Sequence, residues 1–270
     1  MRRHPGEGPI NALRLAQSAA AAAASLLLAS QAWTATLYDA GLGTLPSDQG
    51  WLTAGAGYSE SVGGGTYKFE TLSDNAVQAG SARLAVPGLD TAAGFTLDFS
   101  LKLLQETYAD DNQRAGFSFI VTGADARKAI EIAFWTDHVW AYTESFEHGA
   151  DAAFATTALT DYALVVKDDA WTLLAGGHAL IGGAMVDYSA HGAPYDLPSF
   201  VFFGDDTSRA ASSIELGRIA LSPVPEPASW ALLAVGLIGL SGLSAHRGAG
   251  GARRDVRGRP TCRIDADDAA

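Results

Sequence analysis

A period of two constrains this chain more than any other feature. Phe95, Leu97, Phe99 and Leu101 alternate with Thr96, Asp98, Ser100 and Lys102. Successive side chains of a strand point to opposite faces, so this stretch predicts a strand buried on one side. The period recurs. Residues 115–122 place Phe117, Phe119 and Val121 on one side. Ile130, Ile132 and Phe134 alternate with Glu131, Ala133 and Trp135, and 139–143 continue after a turn at 136–138. Residues 162–167 and 170–174, joined by Asp168-Asp169, predict a hairpin, and Gly176-Gly177 predicts the next turn before 178–181. Residues 66–70 and 82–87 predict short edge strands, the second ended by Pro87. Residues 36–65 predict a strand or two and a loop at 63–65, and residues 200–203 and 213–221 close the series. Residues 101–110 are ambiguous, and no stretch of the body has the period of a long amphipathic helix. Many short strands separated by Gly and Asp turns predict an all-β fold, either an antiparallel two-sheet β-sandwich or a barrel.

Both ends differ from this body. Met1 to Ala32 has Arg2, Arg3 and Arg14, an Ala- and Leu-rich run to Leu28, and small residues at Ser30 and Ala32. That is the make-up of a signal-peptide helix read by the Sec translocon and cut by signal peptidase. Near the other end, Pro223, Pro225 and Pro227 alternate. Each lacks an N–H and restricts its predecessor, so the body should end at residue 222. Ala228 to Ala245 is free of charge, near the lower length limit for a transmembrane helix. Trp230 stands where an interfacial aromatic would, and Arg247, Arg253 and Arg254 would hold the far end in the cytoplasm. The expected organisation is a signal peptide (1–32), a β-sandwich domain (33–222), a proline linker with one C-terminal transmembrane helix and a basic end (223–254), and a disordered tail (255–270).

Val224, Pro225, Glu226 and Pro227, the apolar run and the arginines together resemble the PEP-CTERM sorting signal of Gram-negative bacteria. The resemblance implies processing by an exosortase near the motif, transient anchoring in the inner membrane, and release or attachment at the cell surface. The order of the strands resembles concanavalin A-like and laminin-G-like jelly rolls. The hairpin at 162–183, the close at 202–207 and 214–219, and the strands at 116–120 and 130–134 carry that likeness, which implies a jelly-roll body.

Composition narrows the chemistry. The one cysteine, Cys262, lies beyond the apolar run, so the body has no disulfide, thiolate metal site or cysteine nucleophile. Residues 33–223 hold 9 Lys and Arg against 24 Asp and Glu, a net charge of −15. A body so acidic does not suit nucleic acid or anionic lipid, and it does suit solubility and divalent cations.

Laminarinase-like glycosidases, enzymatic relatives of such sandwiches, carry Glu-x-Asp-x-x-Glu on one strand. There, two carboxylates about 5–5.5 Å apart perform retaining hydrolysis. The local match at Glu131 meets Ala133 and Thr136 instead of the second and third acids. Glu131 is therefore read as a solvent-facing strand residue and the protein as no enzyme. His138, His148, His178 and His191 lack ligand spacing. Glu131 and Trp135, with Trp140 and Tyr142 on the next strand, form a candidate sugar platform, since rings stack on C–H faces and carboxylates take hydroxyls. The plainer reading places those aromatics in a second core face. Asp110, Asp111, Asn112, Asp205 and Asp206 are two acidic loops open to calcium, with solvated turns as the plainer reading. Arg114 is positioned to pair with the first loop. The expected function is an exported, non-catalytic surface or matrix protein that binds extracellular polysaccharide. A structural matrix component is the alternative, and a carbohydrate-active enzyme is disfavoured.

Overall fold

The computed structural model describes residues 34–108 and 114–224. Strands occupy most of them: β1 (Ala35–Asp39), β2 (Leu52–Gly55), β3 (Ser59–Gly63), β4 (Thr66–Glu70), β5 (Ala79–Arg83), β6 (Phe95–Tyr108), β7 (Ser118–Thr122) and β8 (Ala129–Phe134). They continue as β9 (His138–Tyr142), β10 (His148–Ala153), β11 (Thr160–Lys167), β12 (Ala170–Ala175), β13 (His178–Ala184), β14 (Phe200–Asp205) and β15 (Ala210–Pro223). The helices among the described residues are three short 3₁₀ turns. One sheet runs β13-β12-β11-β6-β15-β4-β3 with β1 also on β15, and the other runs β10-β9-β8-β7-β14-β5-β2. All described pairings between these strands are antiparallel. The body is an all-β, two-sheet jelly roll.

The tight turns follow from residues that tolerate positive φ. Asp168 and Asp169 (φ 51° and 61°) turn β11 into β12, and Gly176 and Gly177 (φ 55° and 82°) turn β12 into β13. Two-residue loops with both residues left-handed match the twist of the strands they join. The ambiguous stretch after Leu101 is strand, because β6 runs fourteen residues and pairs with β15 up to Tyr108↔Ala210.

The alternation of β6 sends Phe95, Leu97, Phe99, Leu101 and Leu103 into the core. Phe119, Phe134 and Phe203 face them from the other sheet. Phe99 lies 4.3 Å from Phe119 and 5.2 Å from Tyr162, ring centre to ring centre. Each large ring buried in such a core is worth about 3 kcal/mol against exposure. Gly116 lets the sheets meet closely: a Cβ there would stand 2.2 Å from the carbonyl carbon of Ala211.

Two expectations need correction. The strands β4 and β5 are interior, because the Gly- and Ser-rich β3 and β2 add themselves outside them. Both added strands are largely exposed and lack a clear apolar alternation, which hid them. Also, β15 does not stop at residue 222. Pro223 pairs with Phe95 as the last strand residue, a position that needs no donor, and Val224 N donates to Gly94 O at 3.2 Å. Among the described residues no helix is long and apolar enough to cross a membrane. The expected signal-peptide and transmembrane helices, and the tail, lie outside the described residues.

Candidate functional site: a buried Glu–Arg–Tyr network beside a surface cleft

The site lies on the outer face of the second sheet. Residues opposite one another in a sheet share a face. Ala82, Phe202, Ile120 and Glu131 follow one another across β5, β14, β7 and β8. The neighbouring row runs Gly204, Ser118, Ala133 and Trp140. An outer face usually meets water, but β7, β8 and β14 are buried along their whole length. The segment after β13 covers them. Its Tyr188 and Tyr195 join Ile120, Trp135, Trp140 and Phe202 in a second apolar cluster. Tyr188 O–H donates to Tyr142 O at 2.6 Å, and a ring nitrogen of His191 lies 3.0 Å from Glu144 O.

Glu131 is therefore not the solvent-facing residue that alternation predicts, since its exposure is 0%. Tyr195 O–H donates to one of its oxygens, and Arg114 Nη2 stands 3.3 Å from the other. The same Arg114 nitrogen donates to Asp206 Oδ2 at 2.8 Å. Tyr195 O–H also reaches Asp206 Oδ2 at 3.3 Å, and Ser118 Oγ donates to Asp206 Oδ1 at 3.1 Å. The Arg114 guanidinium lies 4.5 Å from the Tyr142 ring centre and 4.9 Å from that of Phe146. A weakly hydrated planar cation suits such a slot better than an ammonium would.

Burial, and next the neighbouring Asp206, push the Glu131 carboxyl well above the usual carboxylate range, while Arg114 and the Tyr195 hydroxyl pull it down. Burial works against the Arg114 cation, but Asp206 and Glu131 outweigh it and raise its pKa. Burial, reinforced by Glu131, raises that of Tyr195. The arrangement favours a proton retained on Glu131, with Arg114 charged.

Asp205 is buried beside it, accepting from Thr71 Oγ1 at 2.8 Å and Thr207 N at 3.1 Å. Burial raises its pKa to about 8, against the pull of those two donors. A carboxyl raised on folding binds its proton more tightly in the native state. Its contribution is complete below about pH 4, the unfolded carboxylate range, and is lost as pH rises to about 8. Glu131 acts in the same direction. Asp205→Asn is expected to reduce the fall in unfolding free energy between pH 4 and pH 8. Urea titrations at several pH values check this, and an unchanged slope would place the proton elsewhere.

The structure brings Glu131, Trp135, Trp140 and Tyr142 together on one face, all buried. Trp135 stacks on Tyr108 at 5.2 Å, Trp140 stacks on His148 at 4.2 Å, and neither indole N–H has an acceptor among the described residues. Asp206 joins the network and Asp205 stands behind it. Asp110, Asp111 and Asn112 lie outside the described residues. Among the described residues no group of three His, Cys, Asp or Glu is placed to hold a metal. Arg114 is paired with Glu131 and Asp206, partners far from it in sequence. Sequence reasoning missed Phe146, Tyr188 and Tyr195. They stand in turn-rich stretches without period, where only the presence of rings among polar residues gave a signal. Beside the network opens a cleft of about 550 Å³, bounded by Arg114, Phe146, His191, Tyr195, Asp206 and Arg209 among others.

The arrangement of the strands resembles that of solved proteins. One is a conserved carbohydrate esterase from the Shiga toxin-encoding bacteriophage phi24B, 15% identical, covering 71% of this chain and 99% of its own, with a TM-score of 0.53. Two others are a Bacillus subtilis protein with a galectin-like fold (10% identical, 72% of this chain, 98% of its own, TM-score 0.45) and the carbohydrate recognition domain of Emp46p (12% identical, 69% of this chain, 94% of its own, TM-score 0.43). At such identities the first likeness speaks for the fold alone. No curated protein matches the sequence. Residues 223–247 match the PEP-CTERM protein-sorting motif, which implies export and processing by an exosortase. The chain thus carries a PEP-CTERM sorting motif at residues 223–247, which implies export, following a two-sheet jelly-roll body.

Proposed function

We propose that this is a non-catalytic protein of the Gram-negative cell surface or matrix that holds extracellular polysaccharide in the cleft beside Arg114. The cleft carries the reading. Phe146 and Pro194 offer apolar wall, while Asp206, Arg114 and Gln78 offer hydrogen-bonding groups, the pairing of surfaces that a sugar ring presents. Of the platform residues Glu131, Trp135, Trp140 and Tyr142, it is Tyr142 that backs that wall, its ring 6.3 Å from Phe146 and 4.5 Å from the Arg114 guanidinium. Among the described residues Asp206 is the carboxylate at the cleft, already engaged by Arg114, Tyr195 and Ser118, and Glu131 is sealed behind it. That disposition supports binding over acid–base hydrolysis, which needs two carboxyl groups reaching the substrate. Before processing, the Sec translocon and signal peptidase act on residues 1–32, and the apolar run after Pro227 holds the protein in the inner membrane.

A glycan array probed with the mature protein, with and without calcium, tests the reading. Binding to at least one polysaccharide is expected, weakened about tenfold by Phe146→Ala, the size of a lost ring contact. A flat array would overturn it in favour of a structural matrix component. The burial of the sheet's outer face beneath the segment bearing Tyr188 and Tyr195 favours that second reading. A rise in melting temperature with calcium would assign a cation to the acidic loops.

A further inference from the structure

We infer that the folded body fixes where the chain is cut: processing falls on the C-terminal side of Val224, because the sheet holds that residue and those before it. The inference rests on the processing that the sorting motif implies. Motif and fold overlap. The match to the sorting motif begins at Pro223, yet Pro223 is the last residue of β15, and Val224 is tied to the same sheet. Two residues of the motif therefore belong to the body.

An enzyme that cuts a chain takes it extended, pairing with main-chain N–H and C=O groups on both sides of the bond. A residue already paired in a sheet offers those groups only after the pairing opens. β15 lies between β6 and β4, and β1 also pairs with it. Leu221 stands opposite Leu97 on one side and Ala35 on the other, with an exposure of 0%. Ser222 and Pro223 follow opposite Thr96 and Phe95, and Val224 N donates to Gly94 O at 3.2 Å. The acceptor is itself braced. Gly94, at φ 82°, donates from its N–H to Asp90 O at 2.9 Å. The Asp90 carboxylate accepts from Ala92 N at 2.9 Å and Ala93 N at 3.1 Å. A Cβ on Gly94 would stand 3.2 Å from that of Val224, so the two residues also pack closely.

Opening grows costlier with each residue upstream. At Val224 one hydrogen bond opens, at Pro223 and Ser222 the ladder to β6 opens, and at Leu221 a buried leucine meets water. The sheet end is thus the upstream boundary of the segment that the enzyme takes. In the cut, the acyl carbon passes from the amide nitrogen of the downstream segment to water or to an acceptor amine. That nitrogen leaves with a proton. The body supplies no group to the step and sets only which bond is offered.

The full-length protein is compared with a variant carrying Gly-Ser-Gly-Ser between Pro223 and Val224, each expressed with an exosortase and followed by pulse-chase. The insert leaves β15 complete and Val224-Pro225-Glu226-Pro227 intact, so the melting temperature should not change. Mass spectrometry of the processed parent should find its last body residue at Val224 or beyond. The variant should shorten about tenfold faster, the factor that one backbone hydrogen bond accounts for. A parent that ends at Pro223 or earlier, or a variant that shortens no faster, would overturn the inference and leave processing standing. If neither protein shortened, the implied processing would fall and this inference with it.

Discussion

Arg114→Met is expected to lower stability by about 3 kcal/mol, the range for removing one partner of a buried ion pair. For a body of this size that is a fall of roughly 6–12 °C in melting temperature. Methionine keeps much of the length and apolar contact between Tyr142 and Phe146, so the loss measures charge more than packing. Without the cation, Glu131 at 0% exposure and Asp206 face one another across a shared hydrogen bond, with Tyr195 and Ser118 as remaining donors. Glu131, no longer pulled down by Arg114, would then retain its proton to still higher pH. Glu131→Gln in the same chain removes one carboxyl, so the double variant should recover a large part of the loss. That recovery is a coupling that independent sites would not show. Thermal and urea unfolding of the four proteins in the cycle give the answer. A single-variant cost below about 1 kcal/mol, the range of exposed pairs, would mean that the network is solvated.

Glu226→Ala is expected to stop processing outright. With an exosortase present, the parent should shorten and leave the membrane fraction, and the variant should remain full-length within it. The body should be untouched, because Val224 N to Gly94 O is where the described backbone pairing ends, before the motif's remaining residues. Equal melting temperatures would separate a sorting defect from a folding defect. An immunoblot of membrane and medium fractions reads the outcome, and identical size and location for both proteins would remove the role of Glu226.

Much of the body could be read from the chain because its strands obey local rules. The alternation at Phe95–Leu101 lies in β6, the Asp168-Asp169 and Gly176-Gly177 pairs form the two hairpin turns, and the period at 130–134 is β8. The candidate site was less legible. Glu131 was singled out for its strand and its spacing, yet alternation assigned it to water. Alternation separates two faces without saying what lies above either. The segment bearing Tyr188 and Tyr195 supplies that information, and its residues have no period to betray it. Arg114 was seen as a cation near acids, but its partners Glu131 and Asp206 stand 17 and 92 residues away.

By itself, the sequence determined the β class, the absence of cysteine chemistry in the body, the acidic balance and the sorting motif. Each follows from composition or from contacts between near neighbours, and such signals survive in one dimension. Only the tertiary structure decided which face of β8 is covered, which acids Arg114 meets, and which residues line the cleft beside it. Those outcomes depend on long-range packing: a buried carboxyl is tolerated where a distant tyrosine and arginine come to hold its oxygens.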